Sequence, residues 1–211
     1  MRLGTYYRVR LLHRLGHHRL GGRILDVGGL DGLWASSLQG AERYVIDLAP
    51  SAAYPDVHYV RGDALRLPFR DDAFDVVFGL DVLEHVADED CLVAEAVRVL
   101  RPRGRLILTA PSRSIRVFPK LAQGWVNRRW GHDRVPGFDR KYLEALLNSH
   151  RFTQIRILPV AMKALRWTYL PLAALWRVPG PLGRWMTDLA AAWDAGHLEG
   201  EEGGLLVEAT L

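Results

Sequence analysis

The sequence of 211 residues is poor in cysteine and in long apolar runs, and each shortage excludes a class of protein. The single cysteine, Cys91, can form neither an intrachain disulfide nor, by itself, a zinc site. In the apolar stretch 160–193 the longest uncharged run is WTYLPLAALW, residues 167–176, whereas a membrane-spanning helix needs roughly 20 apolar residues. Arginines are scattered through the N-terminal residues 1–20, which contain no uninterrupted apolar core, so we expect no secretory signal there. We therefore expect a cytoplasmic protein without a spanning segment.

The glycine-rich stretch ILDVGGLDG, residues 24–32, lacks the residues of two common nucleotide-binding turns. The dinucleotide pattern GxGxxG anchored at Gly28 requires glycine at positions 30 and 33, and both positions hold leucine. A Walker phosphate loop ends in Gly-Lys-Ser/Thr, and no lysine lies near this turn. Gly28, Gly29 and Gly32 nevertheless let a ligand approach the backbone closely. The turn is therefore predicted to hold a ligand other than a dinucleotide or a nucleoside triphosphate.

Positive charge is concentrated in three segments that contain no acidic residue, namely 1–23, 96–132 and 145–187. The net charge is +4, and blocks of this kind attract phosphates or an anionic membrane surface. The alternative is an ordinary solvated surface in an arginine-rich protein. Because the sequence has no helix-turn-helix, zinc-finger or single-strand-binding motif, we expect no nucleic-acid partner.

Strand-like apolar runs alternate with helical segments, and no composition shift marks a second domain. Besides an N-terminal helical segment, 1–22, we predict helices over 33–40, 88–100 and 140–150. Seven runs are predicted as strands: 23–28, 43–48, 57–63, 74–80, 105–111, 152–160 and 204–211. Strands separated by helices favour right-handed crossovers. The fold class is therefore α/β, a doubly wound and mostly parallel sheet with helices on both faces, in one domain over residues 1–211.

Acidic residues stand at the ends of the first three predicted strands. Asp26 precedes the glycine-rich turn, Asp47 ends the second strand and Asp63 ends the third. Since the carboxyl ends of parallel strands share one edge of a sheet, these side chains are expected beside the turn. A strand-end acid can accept hydrogen bonds from ribose hydroxyls, and three carboxylates repel a phosphate-rich ligand. The residues therefore predict a cationic, nucleoside-like ligand.

Five motifs follow one another along most of the chain: ILDVGGLDG, YVIDLAP, VRGDALRLPFRDDAFDVVFGLDVLEHV, VLRPRGRLILTAP and GHDRVPGFDRKYLEALLNSHRF. In this order and spacing they resemble the class I S-adenosylmethionine-dependent methyltransferases, and most closely the small-molecule type 11 group that includes quinone-biosynthesis enzymes. The resemblance implies a Rossmann-like sheet of seven strands with the last one antiparallel. It also implies S-adenosylmethionine as cofactor and S-adenosylhomocysteine as product.

The resemblance implies a cofactor-binding set that follows the strand ends: Asp26, Gly28, Gly29, Gly32, Asp47, Leu48, Asp63, Ala64, Leu65, Leu80 and Asp81. The turn after the first strand would hold the methionine part, and the second strand's end would bind the ribose. The third strand's end would frame the adenine, and the residues after the fourth would lie beside the transferable methyl group. Leu30 departs from the pattern, because the family usually carries glycine there and a side chain narrows the path of the cofactor.

Methyl transfer from a sulfonium depends mainly on alignment, because the donor is already activated. A base is needed only for a hydroxyl or an acidic carbon, and His85 and His132 are the candidates. The alternatives are a loop-orienting role for His85 and an exposed loop position for His132. No cluster of His, Asp or Glu has metal-ligand spacing, so we expect no metal. The acceptor is expected to be a small molecule, apolar and lipid- or quinone-like.

Two insertions are expected on the substrate side of the fold, residues 112–138 and 160–195. The second contains four tryptophans with basic residues between them, a composition that suits peripheral contact with a membrane or a cover over an apolar acceptor. The alternatives are an ordinary subdomain at the sheet edge and a homodimer face. Prolines at 171, 179 and 181 predict two short helices here.

Two other functions fit parts of the sequence. The first is a non-catalytic binding or scaffold protein that retains the methyltransferase fold, for which Leu30 is the main argument. The second is a methyltransferase acting on protein or nucleic acid. The sequence lacks the Asn-Pro-Pro-Tyr motif that such an enzyme is expected to carry after the fourth strand, where GLDVLEH stands instead.

Overall fold

The computed structural model describes residues 3–113, 137–160, 163–177, 180–198 and 203–211, which form a seven-stranded sheet with helices on both faces. The strands are β1 (Gly22–Val27), β2 (Ala41–Asp47), β3 (His58–Arg61), β4 (Phe74–Leu80), β5 (Leu100–Pro111), β6 (Thr153–Val160) and β7 (Gly204–Thr210). The helices are α1 (Leu3–Arg14), α2 (Leu33–Ser36), α3 (Glu89–Val99), α4 (Arg140–Ser149), α5 (Lys163–Leu175) and α6 (Leu182–Gly196). Short 3-10 turns cover His17–Arg19 and Leu83–His85.

The strand order is β3-β2-β1-β4-β5-β7-β6. Neighbouring strands run parallel from β3 to β5, whereas β7 is antiparallel to both β5 and β6. This confirms the predicted α/β class and the antiparallel last strand. The strand order reverses between β1 and β4, whose ends pair at Val27 and Gly79. A crevice therefore opens at the carboxyl ends of these two strands, where ligands bind in sheets of this kind.

The sheet separates two apolar layers. Leu25 and Val77 face a core closed by α3 and α4. Ile24 and Phe78 face a second core, closed by α1, α5 and α6. Because successive side chains of a strand point to opposite faces, Asp26 lies on the same face as Ile24, the face that α1 covers. This placement brings an N-terminal helix over an acid at the end of the first strand.

The predicted helices 88–100 and 140–150 form, and each begins at an aspartate. Asp88 accepts a hydrogen bond from the Cys91 N–H at 2.9 Å, and Asp139 accepts one from the Tyr142 N–H at 2.8 Å. These carboxylates satisfy backbone donors that the first helical turn leaves free. The helix expected over 33–40 instead ends at Ser36.

That early end has a local cause. The hydroxyls of Ser36 and Ser37 donate back to the carbonyls of Leu33 and Trp34, at 2.9 and 2.6 Å. Such bonds compete with the helical ladder. The chain then turns through Gly40, whose φ is 63°, and enters β2.

The segment 160–195 forms two helices, as predicted, but Pro171 is not a break between them. It lies inside α5, where its missing N–H costs one helical hydrogen bond. Instead, α5 ends at Leu175 and α6 begins at Leu182. No helix within the described residues has the length and apolar character needed to cross a bilayer. His132 and most of the insertion 112–138 lie outside the described residues.

Candidate active site

Three glycines stand in the turn after β1, of which Gly28 is exposed, Gly29 half-buried and Gly32 buried. Gly28 and Gly32 both have φ of 73°, a left-handed conformation that favours glycine. A β-carbon at Gly29 would lie 2.5 Å from Asp26 Oδ2, and one at Gly32 would lie 2.5 Å from the Tyr59 hydroxyl. Glycine is therefore required at 29 and 32 by close packing, and the Asp26 carboxyl lies directly against the turn.

Asp47, at the end of β2, holds this turn in place. Its Oδ2 accepts a hydrogen bond from the Leu30 N–H at 3.2 Å, and its Oδ1 accepts one from the Ala49 N–H at 2.9 Å. Leu30 has φ of 43° and its side chain is 39% exposed. The leucine in place of the family's glycine is thus accommodated at a backbone cost, and the residue stays partly exposed.

The other candidate residues of the second and third strand ends lie at the same edge. The Gly62 N–H donates to the Asp47 carbonyl at 3.0 Å, which places Asp63 just beyond the end of β2. Asp63 is exposed and its Oδ1 accepts from the Leu65 N–H at 2.9 Å. Leu48 is 67% exposed, whereas Ala64 is half-buried. The structure therefore brings Asp47 and Asp63 to one side of the turn.

Asp26 is buried, with 2% of its surface exposed. Burial raises the pKa of this carboxyl to about 8, the charges of Asp31 and Asp47 add to the rise, and Arg8 opposes it. A carboxyl in this state is only partly ionised at neutral pH. A cationic ligand placed beside it would stabilise the ionised form.

Asp81, directly after β4 and Leu80, is held in position from β5. The Thr109 hydroxyl donates to Asp81 Oδ1 at 2.7 Å, and the Asp81 N–H donates to the Thr109 carbonyl at 3.0 Å. Arg8 of α1 forms an ion pair with the second oxygen, Oδ2. Asp81 has φ of 52°, which aspartate tolerates better than most residues. Asp81 is thus an oriented carboxylate at the crevice.

Arg8 and Glu84 are residues of this site that sequence reasoning missed. Burial lowers the pKa of Arg8, and the nearby Glu84 and Asp26 carboxyls oppose that shift. Glu84 is itself 4% exposed, and burial raises its pKa to about 7. One signal was available for Arg8: the first 23 residues contain no acid, so a buried arginine there needs a partner from elsewhere in the chain.

Of the two candidate bases, the structure places His85 and does not describe His132. His85 is exposed at the end of the short turn after β4. Burial on one side and the charge of Arg8 lower its pKa. The lowered pKa favours the neutral imidazole, the state that can accept a proton.

The donor set at this edge fits an adenosyl sulfonium cofactor better than a metal ion or an anion. The carboxyls of Asp26, Asp81 and Glu84 lie near Arg8 at the ends of β1 and β4, and those of Asp26 and Glu84 are buried. Within the described ranges, no group of three or more His, Cys, Asp or Glu side chains is arranged as a metal site. A cavity of about 410 Å³ lies elsewhere, towards the opposite edge of the sheet, and is lined by residues that include His17, Arg105 and Glu208.

Known proteins match this chain over the same elements. A model of the methyltransferase domain family of type 11 matches residues 25–108, from β1 into β5. A ubiquinone biosynthesis O-methyltransferase of Azorhizobium caulinodans is 32% identical over 193 residues, which cover 79% of this chain and 74% of that protein. A ubiquinone/menaquinone biosynthesis C-methyltransferase of Vibrio vulnificus is 35% identical over 114 residues, 46% of this chain and 44% of that protein. This chain thus spans less than half the length of several curated relatives that it matches.

A solved structure of similar shape is a Haemonchus contortus phosphoethanolamine N-methyltransferase 2 in complex with S-adenosylmethionine. It aligns with a TM-score of 0.65 at 18% identity and covers 95% of this chain and 52% of that chain. At this identity the likeness shows the fold. Sheet order, glycine turn and strand-end acids together define a class I methyltransferase. The chain belongs to the S-adenosylmethionine-dependent methyltransferases of the type 11 group.

Proposed function

We propose that this chain transfers a methyl group from S-adenosylmethionine to a small apolar acceptor with a quinone-like ring. The observation that carries the proposal is the acidic crevice at the β1 and β4 ends. There the Asp26 carboxyl packs on Gly29, and Thr109 orients Asp81. Carboxyls around an accessible backbone turn complement a ligand with a sulfonium and an ammonium group.

The residues around the turn would each contact a different part of the cofactor. Both oxygens of Asp47 accept backbone N–H groups, yet each keeps a second lone pair for a ribose hydroxyl. Asp26, Asp81 and Glu84 supply the negative charge. Arg8 is positioned to pair with the carboxylate of the methionine part, because it is the cation that faces the crevice from α1.

S-adenosylmethionine supplies a methyl group that is already activated on its sulfur. The protein mainly has to hold the acceptor atom in line, and alignment of this kind is worth effective molarities of about 10⁵ to 10⁸ M. If the acceptor atom carries a proton, the neutral imidazole of His85 takes it as the new bond to carbon forms. Its lowered pKa suits that role.

Two observations support an apolar ring as the acceptor. Leu80 ends β4 and Val82 follows Asp81, so apolar residues flank the carboxylate next to the methyl position. Two relatives that methylate at different atoms, one at oxygen and one at carbon, are both named for quinone biosynthesis. Their common feature is the ring, so the ring and not the methylated atom is proposed here.

Isothermal titration calorimetry of the whole chain with S-adenosylmethionine and S-adenosylhomocysteine tests the cofactor site. We expect Asp47→Ala to weaken both ligands by about 10- to 100-fold, since charge-assisted hydrogen bonds of about 1.5–3 kcal/mol are lost. The matched control is Asp71→Ala. Asp71 pairs with Arg98 ahead of β4, at the opposite edge of the sheet, so its loss leaves both affinities unchanged. Absence of binding to the unmutated chain at millimolar cofactor would support a scaffold protein instead.

The acceptor class is tested by the release of S-adenosylhomocysteine. Phenolic and catechol rings with apolar tails of increasing length are compared with the same rings without a tail. We expect turnover to rise with the tail. Equal turnover of tailless rings, or turnover only with a protein or nucleic acid, would contradict the acceptor class without affecting the cofactor site.

A further inference from the structure

An exposed apolar stripe runs along α6. Leu182, Trp185, Leu189 and Trp193 are 52%, 59%, 52% and 57% exposed. Their spacing of three and four residues places them on one side of the helix. Large side chains exposed as a contiguous row are unusual on a soluble monomer and mark an interaction surface.

The fold does not need this stripe. The opposite side of α6 carries the buried residues Gly183, Thr187, Ala190, Ala191 and Asp194. Small side chains there let the helix pack closely on α1 and α5. Trp176, from the same segment, shows the contrast: its indole N–H donates to the Thr187 hydroxyl at 3.0 Å, and its ring packs against Tyr6. The exposed tryptophans of α6 have no comparable place in the core.

Charge near the stripe is positive. Arg177 and Arg184 are exposed, whereas both acids of α6 are engaged on its inner side. Asp188 pairs with Arg10 of α1 at 2.7 Å, and buried Asp194 accepts hydrogen bonds from the Tyr7 hydroxyl at 2.5 Å and the Ala164 N–H at 3.0 Å. Tryptophan and leucine flanked by arginine match the composition of helices that lie in a membrane interface.

The stripe ends at the same edge of the sheet as the active site. Val160 at the end of β6 and Pro111 at the end of β5 both pair with Gly204, the start of β7. The Ala164–Asp194 hydrogen bond joins the start of α5 to the end of α6. Trp193 therefore lies at the cofactor edge.

We propose that this face of α6 docks on an anionic phospholipid membrane. Leu182, Trp185, Leu189 and Trp193 enter the headgroup boundary, and the two arginines meet lipid phosphates. Docking itself is independent of the proposed function. The benefit of docking for the reaction does rest on that function, because an acceptor dissolved in the bilayer would then reach the crevice without crossing water.

Vesicle flotation of the purified full chain tests the proposal. The vesicles are pure phosphatidylcholine, or phosphatidylcholine with about a third phosphatidylglycerol, an anionic content that attracts basic faces. We expect the chain to float with the anionic vesicles and less with the neutral ones. The double variant W185S/W193S should bind at least about tenfold more weakly, and R184Q should lose only the preference for anionic lipid.

The matched control is Tyr142→Ser. Tyr142 is also an exposed aromatic, at 41%, but it lies on α4, on the other face of the sheet. Its vesicle binding should equal that of the unmutated chain. Thermal unfolding and cofactor titration without vesicles check that the double variant keeps its fold and its cofactor site.

Three results would overturn the proposal. The first is no flotation of the unmutated chain with either vesicle. The second is an equal loss in the Tyr142→Ser control. The third is sedimentation equilibrium showing a dimer that W185S/W193S dissociates, because a second copy of the chain would then cover the stripe.

Discussion

The sheet has buried or half-buried carboxyls near both ends of its strands, and their pKa values are shifted in opposite directions. At the cofactor edge, burial raises the pKa of Asp26 to about 8 and of Glu84 to about 7. Towards the other edge, the contact with His17 lowers the pKa of Glu208, and Arg156 and Arg105 add to that effect. His17 Nε2 lies 3.2 Å from Glu208 Oε1, and Arg156 lies 3.8 Å from Oε2.

This difference separates a ligand site from a structural ion pair. At Glu208 the protein itself provides the positive charges, so the carboxylate helps to hold the turn after α1 against the sheet. At Asp26 and Glu84, Arg8 opposes the effect of burial, yet the pKa values of the two carboxyls stay raised, to about 8 and about 7. An imbalance that disfavours the folded protein is typical of functional sites. A cavity lies near Glu208, yet the crevice at the β1 end has the chemistry for a cation.

Removing the charge at each edge should give opposite results. We expect Asp26→Asn to weaken S-adenosylmethionine binding by about 10- to 100-fold, because a charge-assisted contact is lost. At pH 8 the same variant should be at least as stable as the unmutated chain, since a buried ionisable group is removed. Glu208→Gln should leave cofactor binding unchanged and lower the free energy of unfolding by about 1 kcal/mol, allowing for solvent screening at this half-buried position.

Calorimetry and urea unfolding of the two variants measure these effects. The comparison fails if Glu208→Gln weakens cofactor binding as much as Asp26→Asn does. It also fails if Asp26→Asn destabilises the protein at pH 8 more than at pH 5, because the carboxyl would then be stabilising in its ionised form.

The pH dependence of binding gives a smaller effect. The raised pKa values of Asp26 and Glu84 mean that both carboxyls are partly protonated near pH 7. A bound cation lowers both pKa values, so binding releases protons and tightens as pH rises. Between pH 6 and 7.5 we expect the affinity for S-adenosylmethionine to rise about three- to tenfold. S-adenosylhomocysteine, which lacks the sulfonium charge, should show a flatter profile, and identical profiles would contradict this account.

The free protein should show the reverse slope in its stability. A carboxyl whose pKa is higher folded than unfolded contributes stability at low pH that is lost as pH rises through the folded value. The free energy of unfolding should therefore fall between pH 6.5 and 8.5, and Asp26→Asn should flatten that fall. The window starts at 6.5 because burial lowers the pKa of His13, which makes acidification below that range destabilising. A stability that rises with pH across the window would count against raised pKa values at Asp26 and Glu84.

The sheet could be predicted from the sequence because its strands are apolar runs whose spacing leaves room for helices. Asp47 and Asp63 could be placed beside the turn because parallel strands deliver their ends to one edge. Both inferences use local pattern and a topological rule. The individual cofactor contacts of these residues remain predictions that the calorimetry above tests.

Arg8 and Glu84 could not be found in the same way. Arg8 reaches the crevice only because α1 packs across the second face of the sheet, fixed to α6 by Tyr7 and Arg10. Glu84 lies within a single 3-10 turn and is buried there. Neither contact has a periodic signal in the sequence. The helix after the glycine-rich turn, α2, was predicted too long for a related reason. Serine hydroxyls end it through local hydrogen bonds, which the spacing of apolar residues does not reveal.

The smallest effect concerns backbone strain at each edge. Leu30 at the cofactor turn and Arg103 in the turn before the paired part of β5 both have positive φ, 43° and 66°. A left-handed residue other than glycine costs roughly 1–2 kcal/mol, part of which the entropy of glycine in the unfolded chain offsets. Leu30→Gly and Arg103→Gly should each raise the free energy of unfolding by about 0.5 kcal/mol in urea titrations. Because the Leu30 side chain is 39% exposed, we expect its removal to change S-adenosylmethionine affinity by less than about threefold, and Arg103→Gly to leave it unchanged. A gain of tenfold or more in cofactor affinity in Leu30→Gly alone would mean that the leucine side chain obstructs the cofactor.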